Sequence, residues 1–329
     1  MGKQPAAVIG VGQTHHRAKR EDVSMAGLCR EAMDRALEDA GMTLDEIDAI
    51  VVGKAPDLFE GVMMPELFLA EALGAAGKPL LRVHTAGSVG GSTAIVASSL
   101  VQAGVHRKVL TVAYEKQSES NAMWALSVPI PFNMPVHAGA GGYFAPHVRS
   151  YIRRSGAPNH VGAIVAAKDR QNALKNPYAH LKNPDTTVES VLASQMLWDP
   201  IRYDETCPSS DGACALVLAS EDVAAASPNP EPMWLESLGF AAEGDGWKLT
   251  ESGATAMDGK LPVNCSGGVL SSNPIGASGM LRFGEAALQV RGAAGEHQVD
   301  GARRALGHAY GGGSQFFAMW VVGSEKPTN

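Results

Sequence analysis

The stretch Val83 to Gly104, VHTAGSVGGSTAIVASSLVQAG, decides how the rest of the chain is read. An extended lead-in runs into a glycine-rich turn centred on Ser88, and a nearly uncharged helix is predicted from Ser92 to Ala103. A helix that is apolar almost all round must be buried. A small hydroxyl residue heading such a helix between glycines is either an N-cap or the seat of a nucleophile.

Outward from that turn, helices and strands alternate. Ala6 to Val11 reads as a strand, Ser24 to Gly41 as a helix with a capping serine before it and a glycine after, and Ala49 to Val52 as a strand buried on both faces. Met63 to Leu73 reads as a second helix, Leu80 to His84 as extended, and Val109 to Tyr114 as the next strand. Glu115 to Val136 suits a covering loop, His137 to Gly142 opens a helix running to Arg154, and Val161 to Asn172 is helical until Asn176-Pro177 stops it. Leu192 to Leu197 fits a short helix. Asp211 begins a turn feeding a strand, Ala224 to Pro232 is a connector, and Trp234 to Phe240 and Phe316 to Val322 are strands. Between these last two, Asn264 to Gly268, then Asn273-Pro-Ile-Gly-Ala-Ser-Gly, then a helix to Val290 repeat the order of glycine turn, buried helix and terminating glycine. That points to an internal duplication.

Composition narrows the function. With 329 residues, 45% of them apolar and 19% charged, the chain can bury a large core. A net charge of −7 with no basic stripe gives no reason to bind nucleic acid. No stretch approaches the roughly 18 apolar residues of a membrane span, and the N-terminal apolar run is too short for a signal peptide, so a cytoplasmic protein is expected. Cys29, Cys207, Cys214 and Cys265 lack metal-site or disulfide-framework spacing, and the ten histidines form no HExxH. Gly10-Val-Gly12 lacks the third glycine and the later acid of a dinucleotide site. No cofactor is expected.

Several motifs together resemble the thiolase superfamily, in its lipid-transfer-protein and sterol-carrier-type branch. They are the Ser88 turn with Gly-Ser-Thr-Ala, Arg170-Gln-Asn-Ala-Leu-Lys-Asn-Pro-Tyr-Ala, Ser210-Asp-Gly-Ala, Gly267-Gly with Asn273-Pro-Ile-Gly-Ala-Ser-Gly, and Gly311-Gly-Gly, in family order along nearly the whole chain. The resemblance implies an α/β thiolase-like five-layered αβαβα fold with two duplicated halves, residues 1–222 and 223–329, usually as a homodimer. It implies an acyl-CoA substrate, with the CoA thioester brought by the substrate itself. The site is expected where helix N-termini of both halves meet, because their unpaired N–H groups stabilise a developing oxyanion. The chain is shorter than typical thiolases.

The departures from the family pattern are chemical. Ser88 stands where a thiolase has its nucleophilic cysteine, Asn273 where it has a histidine before proline, and Tyr310 just before the last glycine cluster where it has a cysteine or equivalent polar group. A serine nucleophile needs a base, and Asn273 cannot be one. Retro-aldol cleavage of a β-hydroxyacyl-CoA needs only a base for the β-hydroxyl proton and an oxyanion site for the enolate. Tyr310 is the candidate base, with His308 on the same face of an extended segment, and Asn273 and the Ser88 backbone are the candidate donors. This set resembles the aldolases of steroid side-chain degradation, which act with an OB-fold partner of the DUF35 type. Two alternatives stay open: an acyl-CoA C-acyltransferase using Ser88, and a non-catalytic acyl-CoA-binding scaffold. Each candidate also has a structural reading: a cap for Ser88, a turn residue for Asn273, a buried ring with a paired hydroxyl for Tyr310 and a hydrogen-bonded ring for His308.

Overall fold

The computed structural model describes residues 5–55, 57, 60–120, 139–220, 240–311 and 316–324. Its framework is a five-stranded sheet in the order β1-β7-β4-β2-β3. The interior strand β7 (Asp211–Ser220) is antiparallel to β1 (Ala6–Gln13) and to the central strand β4 (Lys108–Lys116), whereas β2 (Ala49–Lys54) is parallel to β4 and to the edge strand β3 (Leu80–Val83). Strands β2 and β7 are buried along their whole length, as strands covered on both faces must be.

Alternation along the strands feeds two apolar layers. On one face, α1 (Met25–Ala40) lays Leu28, Ala32, Met33 and Ala36 against Ile50, Val52, Leu110 and Val112. Its ends are as the sequence predicts: Ser24 accepts the Gly27 N–H, and Gly41 is left-handed. On the other face, α3 (Val89–Gln102) and α9 (Ile275–Arg291) bring Ala94, Ala97, Ala277 and Met280 onto Val51, Val109, Ala113 and Leu216. Beyond this helix pair lies the antiparallel hairpin of β8 (Arg304–Gly311) and β9 (Phe316–Gly323), whose Ala309, Ala318 and Trp320 join the same cluster. The described residues thus supply helix, sheet, helix pair and sheet in succession.

The remaining elements pack together at one side: α4 (Gly139–Ser155), α5 (Val161–Ala173), α6 (Val188–Ala193), the β5 (Met196–Trp198) and β6 (Ile201–Arg202) hairpin, α7 (Gly246–Glu251) and the single-turn α8 (Gly268–Ser271). Three expectations change. The helix expected over Met63–Leu73 is only α2 (Pro65–Leu69), because Met64 is left-handed and the chain turns before left-handed Gly74. The helix expected over Leu192–Leu197 ends at Ala193, and Met196–Trp198 is a strand; an apolar run this short does not carry a period. Helix α3 begins at Val89 rather than Ser92. Most of the covering loop, the connector, the strand from Trp234 and the boundary between residues 222 and 223 lie outside the described residues.

Glycines set the closest contacts. A Cβ on Gly10 or Gly12 would strike the carbonyl oxygens of Ala36 or Ala32, so β1 lies directly on α1 and these glycines serve packing. Where α3 crosses α9, a Cβ on Gly90 would sit 2.7 Å from the Gly276 carbonyl oxygen, and one on Gly279 would sit 2.7 Å from the Ala309 Cβ and nearer still to the Gly91 amide. Gly279→Val is expected to lower stability by about 1–3 kcal/mol or more, since backbone cannot yield as a side chain does. A fall in the urea midpoint at unchanged m would register it.

Candidate active site

Ser88 heads α3 but caps nothing. Its side chain is fully buried, and its Oγ donates to the Thr85 carbonyl at 2.8 Å and to Thr85 Oγ1 at 3.0 Å. Thr85 Oγ1 in turn donates to Ser92 Oγ at 2.9 Å. The turn contains Ala86 at φ 49°, a left-handed conformation that a residue with a Cβ adopts at a cost of about 1–2 kcal/mol. The end of β8 rests on this turn: a Cβ on Gly87 would lie 2.9 Å from the Tyr310 carbonyl oxygen, and one on Gly311 would lie 2.5 Å from the Ser88 nitrogen. Only glycine fits there.

Strand alternation separates the Tyr310 ring from that contact. Gly311 faces the turn, so Tyr310 and His308 share the opposite face, as the extended reading expects. Both meet Phe317 on β9, the Tyr310 ring edge-on at 5.5 Å between centroids and the His308 ring stacked at 6.1 Å. Phe144 of α4 reaches Tyr310 at 5.6 Å. Burial lowers the His308 pKa from its ordinary value, which keeps the imidazole neutral at pH 7. The structure therefore unites Tyr310 with His308, and it brings the backbone of Tyr310, not its ring, to Ser88.

Asn273 is held at both backbone and side chain. Its N–H donates to Ser210 Oγ at 3.1 Å, its Nδ2 donates to Cys207 Sγ at 3.1 Å, and its Oδ1 accepts from Ser278 Oγ at 2.7 Å. A carboxamide has two N–H donors, and Cys207 takes one. Buried Ser210 pairs with His180 Nδ1 at 2.9 Å, and Gln117 Nε2 donates to the carbonyls of both Ser210 and Asn273. Asp211 beside it accepts from the Ser118 N–H and the Arg20 N–H, both at 2.9 Å. Ser210 and Ser278 stand inside motifs quoted above and His180 directly after one, yet only the folded chain shows that they converge on Asn273.

The N-terminus of α9 is anchored from beneath. Lys54 Nζ lies between Glu60 and Glu115, 3.0 Å from Glu115 Oε1, with all three side chains at most 1% exposed. Glu115 Oε2 accepts the N–H groups of Ala55 at 3.2 Å and Gly276 at 3.1 Å, so one carboxylate joins β2 to the first turn of α9. Burial, then the nearby Glu60 charge, drive the Glu115 pKa well above its ordinary value.

A second buried carboxylate shapes the other glycine turn. Asp169 Oδ2 accepts from Asn264 Nδ2 at 2.9 Å, and Asn264 is itself left-handed at φ 54°. Burial raises the Asp169 pKa to about 6. An acid whose folded pKa lies above its unfolded value of about 3.9 stabilises the fold fully below that value, and the contribution is lost as pH rises through the folded pKa. Between pH 4 and about 6 the protein is expected to lose about 2–3 kcal/mol through this group, at 1.36 kcal/mol per unit. Asp169→Asn should remove that slope, as urea midpoints across the range would show.

All four cysteines are free thiols. Among the described residues no helix is long and apolar enough to cross a membrane.

Comparison with known proteins agrees with this architecture. Residues 224–324 match the family model described as Thiolase C-terminal domain-like. The chain is 28% identical to acetyl-CoA acetyltransferase of Methanothermobacter thermautotrophicus, over 93% of this chain and 96% of that protein. It is 25% identical to human sterol carrier protein 2, over 96% of this chain and 72% of that one. It is 24% identical to 17-hydroxy-3-oxo-4-pregnene-20-carboxyl-CoA lyase of Mycobacterium tuberculosis, over 87% and 92%. Among solved structures, the Ltp2-ChsH2(DUF35) aldolase matches with a TM-score of 0.80 at 22% identity over 98% of both chains. Human mitochondrial 3-ketoacyl-CoA thiolase matches with a TM-score of 0.72 at 14% identity, over 98% and 99%. The chain has the thiolase fold, and its resemblance to the thiolase superfamily extends over nearly its whole length. The acetyltransferase alignment runs over 377 positions against a chain of 329 residues, so this chain lacks segments that the acetyltransferase has.

Proposed function

We propose that the protein is a carbon–carbon lyase that cleaves a β-hydroxyacyl-CoA of the steroid side-chain type by a retro-aldol step, together with a DUF35-type partner. The observation that carries this reading is the state of Ser88. Its hydroxyl is buried and committed to Thr85, with no base bonded to it among the described residues, which supports a reaction without an acyl-enzyme. Retro-aldol cleavage needs none. The base takes the β-hydroxyl proton, the carbonyl forms as the Cα–Cβ bond breaks, and the bonding pair enters the thioester enolate, which is protonated at Cα. A ketone and a shorter acyl-CoA leave.

Tyr310 and neutral His308 form the basic pair on the outer face of β8. Asn273 supplies its remaining carboxamide N–H to the enolate oxygen, its orientation fixed by Ser278 and Cys207. The named activity of the mycobacterial lyase and the aldolase complex with a DUF35 protein support this choice over thiolysis.

The chain works as a homodimer in this reading. Strand β3 is a sheet edge, and beside it Met63, Met64, Leu67 and Phe68 are each more than half exposed. Unpaired edge groups and a contiguous apolar patch are what a self-complementary interface covers. A cytoplasmic location fits the acyl-CoA substrate.

The deciding experiment incubates the protein, alone and with a co-expressed DUF35 protein, with 17-hydroxy-3-oxo-4-pregnene-20-carboxyl-CoA. Ketone and a shorter acyl-CoA are expected in equal amounts. Thiolysis of a 3-ketoacyl-CoA with a mass adduct on Ser88 would replace this reading by the acyltransferase one, and no turnover with either substrate would leave the scaffold.

A further inference from the structure

Retro-aldol cleavage leaves an enolate that must gain a proton at Cα, and Tyr310 and His308 account only for the proton that leaves the β-hydroxyl. A thiol stands beside the group assigned to the enolate oxygen. Cys29, Cys214 and Cys265 are buried in the protein, whereas Cys207 is exposed. Its sulfur accepts from Asn273 Nδ2 at 3.1 Å, and its own proton goes to no acceptor among the described residues. Thiols titrate at about 8.5, so that proton is in place at pH 7.

The loop that carries Cys207 is fixed from below. Arg170, the first residue of the Arg170-Gln-Asn-Ala motif, is buried, and its guanidinium donates to the carbonyls of Leu270 at 3.0 Å, Asp204 at 3.2 Å and Thr206 at 3.3 Å. One arginine thus ties the residue before Cys207 to the turn that leads into Asn273. The carboxamide nitrogen sets the rest of the geometry. One of its N–H bonds points to the sulfur, and the other is the donor to the enolate oxygen. Two acceptors about 3 Å from one planar nitrogen, with its N–H bonds about 120° apart, stand about 5 Å from each other. The enolate Cα is two bonds from its oxygen, so a thioester lying with Cα toward the loop brings it to a near-attack distance of about 3–3.5 Å from the sulfur.

We propose that Cys207 is the acid that protonates Cα, a role that rests on the retro-aldol reading and on Asn273 as the oxyanion donor. The π pair of the enolate forms the new Cα–H bond, the S–H bond breaks with its pair left on sulfur, and the thiolate takes a proton back from water. The Asn273 N–H already aimed at the sulfur supports the thiolate in between. In the reverse direction the thiolate takes a Cα proton from the shorter acyl-CoA, so the step can be followed with no carbon–carbon bond breaking.

The experiment incubates the protein with propionyl-CoA in D2O at pH 8 and follows deuterium at Cα by mass spectrometry. Wild type is expected to exchange these hydrogens, and Cys207→Ala to lose about 10²–10⁴-fold of the rate, the range for a positioned acid–base group. An unchanged thermal midpoint verifies that the variant is folded. Iodoacetamide on the folded wild type provides a second measurement that needs no variant: it reaches the exposed thiol before the three buried ones, and exchange is expected to stop once Cys207 is alkylated. Exchange at the wild-type rate in Cys207→Ala or in the alkylated protein, or no exchange by wild type above that in buffer, overturns the proposal. Exchange that depends on Cys207 in a protein that cleaves no β-hydroxyacyl-CoA would reject the lyase reading and leave the acid in place.

Discussion

Tyr310→Phe is expected to lower retro-aldol turnover by about 10²–10⁴-fold while the protein stays folded, the range that loss of a positioned acid–base group produces. The substitution removes one oxygen and keeps the ring that packs against Phe317 and Phe144. The loss should fall on kcat, with KM nearly constant, because the phenol acts on the breaking bond and not on the body of the substrate. His308→Asn in parallel separates the two members of the pair: if Tyr310 is the base and His308 its neutral neighbour, the histidine variant retains part of the activity and shifts the pH profile. Turnover unchanged in Tyr310→Phe would remove this residue from the mechanism.

Lys54→Met is expected to destabilise the fold by about 3–5 kcal/mol at pH 7, the penalty for leaving buried charge without its partner. Glu60 and Glu115 would face each other in the interior with no cation, and Glu115 also holds the first turn of α9. The pH dependence carries the sign. Protonating Glu115 relieves the repulsion, and its pKa already lies well above its ordinary value, so the variant should regain stability as pH falls toward 5. Adding Glu115→Gln to Lys54→Met should recover part of the loss, a coupling that two independent defects would not show. Urea denaturation at two pH values is sufficient. A loss below about 1 kcal/mol would mean that the cluster is hydrated and the lysine dispensable.

The frame was legible in the sequence because its signals are local. Ser24 and Gly41 bracket α1, and the β-branched runs of β2 and β4 are buried as such runs are. Glycine turns marked the two helices that meet in the middle layer. The middle of the chain was less legible. At Met63–Leu73 a left-handed Met64 overrides an apolar pattern, and at Met196–Trp198 three residues pair as a strand across a tight hairpin where no period is long enough to show it. The site follows the same division. His308 and Tyr310 share a face because they are two apart on a strand, and that can be read from spacing. The clamp on Asn273 comes from Gln117, His180, Cys207, Ser210 and Ser278, which only folding brings together. No pattern in the linear chain joins them.

The contact between Gly311 and the Ser88 turn has a consequence for how the hairpin settles. Slipping β8 along the turn by one residue would bring Tyr310 to the place of Gly311, where even a Cβ would lie 2.5 Å from the Ser88 nitrogen. Because strand faces alternate, the same slip would turn His308 inward and Ala309 outward. The turn thus works as a gauge that admits a single register of the hairpin. Whatever chemistry Ser88 has given up, it measures where Tyr310 stands.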